Sequence, residues 1–390
     1  MSLFAEPTLS PDDLRVIEEI DALRRQLRHS LGQPRRWKGQ LRRNLKARAV
    51  RGSNSIEGYD VSLDDAVALM DDDEALDADH RTTLEIVGYR NAMTYIQELA
   101  GDPHFSFDES LLRSLHFMML GHDLSKSPGR YRQNASYVHD EEQDTIVYEG
   151  PDPDLVRKLM AELTRSLNKE TGSPVFVRAA MAHLNLVMIH PFRDGNGRMA
   201  RALQTLVLAR EKIVAPEFSS IEEWLGRNTT AYYDVLADVG NGTWSPGRDT
   251  DTWVKFNLVA HHMQAQTVLR RVDEAGTMYL HLDALAAGLK LPERVTFALY
   301  PALVGLTVRR SAYERDAELE SGTAARDLRN LVSAGLLKAI GATKGRLYVA
   351  TEELRAIRHE IALGRVRPRN PYRTGDDEPA SMRRTVTTME

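Results

Sequence analysis

The run His190-Pro191-Phe192-Arg193-Asp194-Gly195-Asn196-Gly197-Arg198-Met199-Ala200-Arg201 organises everything around it. Within twelve residues it supplies a base, a carboxylate, two small-residue turns and guanidinium groups. Val175 to Ile189 before it and Met199 to Leu208 after it carry apolar residues at helical spacing. The charged cluster is therefore expected on a loop between two buried helices, the second of which opens at the glycines. Backbone N–H groups at a helix start, freed of side-chain bulk by Gly195 and Gly197, make an anion site. Arg198 and Arg201 lie three apart on the first turns of that helix and are expected to face the same anion. Asp194 is a hard oxygen ligand, placed where Mg²⁺ could bridge it to phosphates. His190 is the group of this run that accepts a proton near neutral pH.

With those residues in place, the chain resembles the Fic family, enzymes that transfer AMP from ATP onto protein hydroxyls. Its His-x-Phe-x-Asp/Glu-Gly-Asn-Gly-Arg-x-x-Arg signature is matched at every position from His190 to Arg201. The resemblance implies that His190 is the general base and that Asp194 holds Mg²⁺. It implies that Gly195, Asn196 and Gly197 form the hole for the α- and β-phosphates, with Arg198 on the β-phosphate and Arg201 on the γ-phosphate. Phe192 would point into the core and anchor the loop. Such chemistry asks the protein for positioning and charge neutralisation.

Ser53-Asn54-Ser55-Ile56-Glu57-Gly58 fits the Ser/Thr-x-x-x-Glu-Gly/Asn pattern of the inhibitory helix of many Fic proteins. A glutamate delivered beside a phosphate-binding arginine competes for it and repels a triphosphate. By the resemblance that pair is Glu57 with Arg201, with Ser53 and Gly58 as the other motif positions. A helix end with a glycine C-cap is the plainer reading of the same six residues.

Tyr137-Val138 and Thr145-Ile146-Val147-Tyr148, ending at Glu149-Gly150-Pro151, alternate like a hairpin. By the resemblance this is a flap that clamps the target by strand addition, with Val147, Tyr148 and Glu149 as docking residues; an ordinary surface hairpin fits equally. Tyr232-Tyr233 follows on a helical segment, where relatives place an aromatic in the adenine pocket. Core packing is the alternative for either tyrosine.

Composition fits a globular enzyme: 390 residues, 42% hydrophobic, 27% charged, net charge −5. Without cysteine there is no disulfide, thiolate metal site or cysteine nucleophile. No run approaches the ~20 apolar residues of a membrane span. The first six residues lack a basic region followed by an apolar core, so a cytoplasmic enzyme is expected. The overall charge attracts neither nucleic acid nor anionic membrane.

The expected fold is mainly α: an all-helical Fic core with a β-hairpin flap, and a C-terminal winged-helix domain. Residues 1–52 form a helical region whose Arg35, Arg36, Arg42 and Arg43 read as a solvated face. Residues 53–272 form the catalytic domain and 274–361 the winged helix. The tail 364–390 is polar enough to be disordered. In the third part Ser321 reads as lying near a helix N-cap, Thr323 to Val332 as a recognition helix, and Gly341 to Val349 as a wing turning at Lys344-Gly345. From Gly305 to Ala350 eight Lys/Arg face five Asp/Glu, too mild a surplus to establish DNA binding.

Two functions follow. One is an autoinhibited AMP-transferase using ATP and Mg²⁺ on a target protein or itself, with removal of AMP as a related activity of the same site. The other is a DNA-binding regulator with a nucleotide-sensing Fic site. Family members often dimerise, so a homodimer is part of the expectation.

Overall fold

In the computed structural model, residues 2–140, 145–210, 212, 214–341 and 346–373 are described. Helices dominate. α1 (Pro11–Gly32) starts at a capping box in which Ser10 and Asp13 satisfy each other's backbone. α2 (Lys38–Ser55) and α3 (Leu63–Met70) follow. α4 (His80–Gly101) and α5 (Glu109–Leu120) each start at an aspartate, Asp79 and Asp108, that accepts a backbone N–H of the first turn. The hairpin is β1 (Tyr137–Asp140) and β2 (Thr145–Glu149). α6 (Pro153–Leu167), α7 (Val175–Ile189) and α8 (Asn196–Ala209) complete the centre. α7 is apolar nearly all round because it is enclosed by other helices.

After α8 come the short helices α9 (Pro216–Ser219) and α10 (Glu222–Arg227), then α11 (Thr229–Gly240). β3 (Gly242–Thr243) pairs in parallel with β2, giving a sheet of order β1-β2-β3. α12 (Asp251–Gly288) runs for 38 residues, about 57 Å at the α-helical rise. The remaining elements are α13 (Thr296–Leu303), β4 (Val308–Arg309), α14 (Arg310–Asp316), α15 (Ser321–Ser333), β5 (Leu337–Ile340), β6 (Leu347–Ala350) and α16 (Glu352–Leu363). The second sheet has order β4-β6-β5. The expected wing turn at residues 342–345 lies outside the described residues.

There are two cores, and α2 and α12 belong to both. Trp253, Val254 and Leu258 of α12 pack in the first core with α4, α7 and α8. Val268, Val272, Met278 and Leu282 of the same helix pack in the second with α13 and α15. Leu41 and Leu45 of α2 join the second core, whereas Ala47 and Val50 join the first. The division expected at 272–274 therefore falls inside one unbroken helix, and that at 52–53 inside another. Composition did not expose either because an amphipathic pattern continues across a helix that serves two cores.

Other expectations change for the same reason, namely polar side chains spent on tertiary contacts. Arg36, just before α2, binds Asp283 at 2.7 Å and Arg43 of α2 binds Asp316 at 2.6 Å, so these two fasten the start of α2 to α12 and α14, while Arg35 and Arg42 remain exposed. The acidic run after α3 takes part, with Asp71 2.6 Å from Arg315. The first part of the tail is ordered: Arg369 N–H donates to Gln266 (3.0 Å) and Tyr372 Oη–H to Asp13 (2.7 Å). Residues 374–390 lie outside the described residues. Glu320 is the N-cap of α15 and Ser321 its first helical residue.

Helix α4 approaches α5 closely at Gly88, where a Cβ would sit 2.1 Å from the Met119 carbonyl oxygen. Gly88→Ala is expected to cost about 1–3 kcal/mol in urea unfolding. Gly39→Ala, with no atom within 4 Å of its Cβ position, should cost nothing measurable.

Candidate active site

The loop between α7 and α8 is held from both sides. α7 ends at His190, whose left-handed backbone (φ 50°, ψ 57°) turns the chain out of the helix. The Arg132 guanidinium fixes that turn, donating from Nε to the His190 carbonyl (2.8 Å) and from its other nitrogens to the carbonyls of Asn134 (2.8 Å) and Pro151 (2.5 Å). Its backbone N–H donates to Pro191 at 2.9 Å. At the far end Gly195 is the N-cap of α8 with φ 75°, and a Cβ there would meet Leu120 Cδ1 at 2.8 Å. Glycine is required twice over, by conformation and by space.

Phe192 is fully buried, as expected. His116 stacks on it with ring centroids 3.7 Å apart and planes 5° from parallel. Gly129 N–H donates to His116 Nδ1 (2.8 Å), which leaves Nε2–H to donate to the Asp194 carbonyl (2.9 Å). Burial lowers the His116 pKa to about 4, keeping that tautomer neutral. The Asn196 side chain bonds both backbone groups of Phe192, at 2.9 Å each, so it pins the loop while its backbone N–H lies at the start of α8.

His190 Nδ1 lies 3.2 Å from the Val187 carbonyl, an arrangement that puts the proton on Nδ1 and leaves Nε2 as the acceptor. Burial lowers its pKa to about 4 against the opposing effect of that hydrogen bond. The imidazole is therefore in its basic form at neutral pH. Asp194 holds its carboxylate 2.8 Å from Lys126 Nζ and accepts the Gly195 N–H. Burial alone would raise its pKa, but the lysine outweighs it and the net shift is downward.

The two arginines of α8 turn to different carboxylates, not to one shared anion. Arg198 pairs with Glu85 of α4, and both side chains are 1% exposed. Lys126 reaches the same glutamate at 2.7 Å. Burial works to raise the Glu85 pKa, yet Arg198 and Lys126 bring it down to about 2. Tyr59 lies beneath this cluster, with its ring centroid 5.4 Å from Arg198 Cζ and 5.8 Å from Lys126 Nζ. Arg201 instead meets the end of α2. Its Nε donates to Ser53 Oγ (2.8 Å), and Nη2 donates to the Ser53 carbonyl (2.9 Å) and to Glu57 Oε1 (2.7 Å). Its Nη1 has no hydrogen-bond partner among the described residues. A Cβ on Gly197 would sit 2.5 Å from Glu57 Oε1 and 3.1 Å from that Nη1. Gly58 follows with φ 81° and ends the segment.

Tyr232 is buried, 1% exposed, and donates to His183 Nε2 at 2.9 Å. His183 Nδ1 in turn meets Gln204 Oε1 at 2.6 Å. This network packs behind Arg201, whose Cζ is 6.0 Å from the Tyr232 ring, so Tyr232 takes the core-packing alternative. Tyr233 is 46% exposed and its hydroxyl donates to the Ile56 carbonyl at 3.1 Å, next to Glu57. In the hairpin, Tyr148 is buried and donates to the Met188 carbonyl (2.7 Å), two residues before His190. Tyr148 and Glu149 are flanked by β1 and β3, so strand addition beside them is closed. Val147 has no such partner on the β3 side among the described residues.

Glu85, Lys126 and His116 were not singled out from the sequence, and Arg132 only as part of the stretch Gly129–Arg132 that opens the hairpin. Only the fold brings them to residues 190–201.

The Fic/DOC family matches residues 106–208 of the chain. It is 32% identical over 208 residues to a protein adenylyltransferase Fic of Drosophila melanogaster, covering 51% of this chain and 39% of that protein. It is 30% identical over 165 residues to the protein of the same name from Nematostella vectensis, covering 40% and 36%. The chain thus spans less than two fifths of the length of these curated relatives. Its fold is similar to a Fic family protein from Desulfovibrio desulfuricans G20 (TM-score 0.57, 22% identity, 90% of this chain and 99% of that one). It is also similar to residues 134–508 of Fic-1 from C. elegans (TM-score 0.53, 22% identity, 68% and 73%).

The two carboxylates that hold arginines should behave differently when removed. Glu85→Ala leaves Arg198 buried and uncompensated, at a cost of roughly 3–5 kcal/mol in urea unfolding. Glu57 is 21% exposed and its removal leaves buried Arg201 with both Ser53 acceptors, so Glu57→Gly should cost less than Glu85→Ala. The lowered Glu85 pKa contributes stability above its ordinary value of 4.5 that is lost as pH falls toward 2. That acid-side loss should shrink in Glu85→Gln.

Proposed function

We propose that this chain transfers AMP from ATP to a hydroxyl of a target protein, or of itself, and that Glu57 restrains it. The Glu57–Arg201 contact across Gly197 carries the reading. It places a carboxylate against the helix start where the phosphate chain would lie, on the guanidinium that would neutralise it. Names of relatives support the activity, since those matched are called protein adenylyltransferases.

In this reading the target oxygen attacks the α-phosphorus, the bond to the β-phosphate oxygen breaks, and pyrophosphate leaves. His190 Nε2 takes the hydroxyl proton. Its Nδ1–H bond to Val187 and the Arg132 clamp on its carbonyl hold the ring in line. The N–H groups of Gly195, Asn196 and Gly197 at the start of α8 receive phosphate oxygens, and the open Nη1 of Arg201 adds a charged donor. Arg198 reaches phosphate only by leaving Glu85 or sharing itself with it. Asp194 would hold Mg²⁺. Among the described residues no group of three or more acidic or histidine side chains is arranged as a metal site, so one carboxylate with phosphate oxygens and water is the donor set on offer. That set suits Mg²⁺, which supplies charge neutralisation for the phosphates when bound. The exposed hydroxyl-bearing target would reach the site beside the hairpin, where Val147 is free to pair.

ATP labelled on the α-phosphate and incubated with Mg²⁺ and lysate tests the proposal. Glu57→Gly is expected to label protein at least about tenfold faster than the unaltered chain. Adding His190→Ala should lower that by on the order of 10²–10⁴-fold. A Glu57→Gly chain that binds ATP and labels no faster contradicts the brake. A fully active His190→Ala contradicts the base.

The pH dependence follows from His190. Because its pKa is lowered to about 4, the basic form persists down to mildly acidic pH. In Glu57→Gly, kcat/KM should stay level from pH 8 to about 5 and fall below that, not near the ordinary histidine value. A midpoint near 6.5 would contradict the neutral assignment.

A further inference from the structure

A second concentration of positive charge lies away from residues 190–201, where α2, α10, α12, α13 and α16 meet. Arg48, Arg227, Arg270, Arg271, Arg358 and Arg365 line a cavity of about 270 Å³ there. Arg48 stands on the face of α2 shared with Leu41, Asn44 and Leu45, five residues before Ser53. Two carboxylates serve this cluster. Glu223 takes Arg271 bidentately (2.6 and 2.8 Å), Arg227 at 2.6 Å and Arg48 at 3.6 Å. Glu274 takes Arg365 (2.8 and 3.1 Å) and Arg270 (3.5 Å).

Six guanidiniums against two carboxylates leave a surplus of four positive charges around one cavity. Several donors remain open. Arg270 Nε is held only by a long 3.5 Å contact to Glu274, and Arg48 has no carboxylate oxygen nearer than 3.6 Å among the described residues. Arg358 donates to the Val304 carbonyl (2.8 Å) and has no carboxylate within ion-pair distance among the described residues. Burial and the neighbouring cations push the Arg48 pKa down to about 10, the direction that uncompensated positive charge produces. Buried like charges are costly, so a cavity built this way gains free energy by taking in a compact polyanion.

We infer that this cavity binds a small molecule bearing a chain of two or three phosphates. The guanidinium groups that the two carboxylates leave unfilled match phosphate oxygens, which a planar fork can hold bidentately. The cavity walls carry more polar than apolar groups, so the phosphate chain, not an apolar body, is what the site recognises.

The test is calorimetric titration of inorganic tripolyphosphate into the full chain at low salt. Four proteins are compared: the unaltered chain, Arg201→Ala, Arg358→Gln with Arg365→Gln, and Arg326→Gln with Arg329→Gln. The third removes two arginines of the cavity. The fourth removes two exposed arginines of α15 and controls for net charge. The expected result is a binding component that survives Arg201→Ala and the α15 pair, and weakens roughly tenfold or more in the cavity pair. Loss of all binding in Arg201→Ala, or equal affinity in the cavity pair and the α15 pair, overturns the site. Urea midpoints show whether the cavity pair is folded, and Arg227→Gln, at the exposed rim, repeats the comparison if it is not. Inorganic phosphate and ATP in parallel titrations separate a preference for a phosphate chain from a preference for the nucleotide.

Discussion

Arg201 is a guanidinium with no exposed side-chain surface, and a charge so placed must be compensated by its neighbours. Ser53 provides two of its acceptors and Glu57 the third, all from the last turn of α2 and the residues just after it. Behind it the Tyr232–His183–Gln204 chain fixes the surrounding core. The position of α2 is thereby tied to that of α8, which begins just after its N-cap Gly195. One ion pair thus connects the N-terminal helices to the reactive loop.

The neighbouring pair, Arg198 with Glu85, shows what a structural contact of the same chemistry looks like. It is buried on both sides and reinforced by Lys126 and Tyr59. Glu57 differs by being partly exposed and by pressing on Gly197, a position where only a glycine leaves it room. Two salt bridges one helical turn apart therefore divide the work. Glu85 holds the scaffold together, and Glu57 stands where a ligand could displace it.

The loop itself was legible in the sequence because its chemistry is local. His190, Asp194, the glycines and the arginines fall within twelve residues, and helical spacing on either side fixes where they sit. The Ser53–Gly58 motif was legible for the same reason. What holds the loop was not. Arg132 and His116 act through backbone carbonyls, and Glu85 is one glutamate on a helix of mixed pattern. Nothing in sequence spacing marks a contact 113 residues long, such as Glu85 to Arg198. The expected divisions fall inside α2 and α12, each of which packs one end in each core. Tyr232 and Tyr233, adjacent in sequence, part into a buried partner of His183 and a half-exposed partner of Ile56.

The central claim is that Glu57 acts through Arg201, and a double-mutant cycle on the rate of AMP transfer tests it most directly. Transfer is measured for the unaltered chain, Glu57→Gly, Arg201→Ala and the double variant at saturating ATP. If the glutamate works by occupying the arginine, the gain from Glu57→Gly disappears once Arg201 is absent. The same gain in both backgrounds would contradict the account.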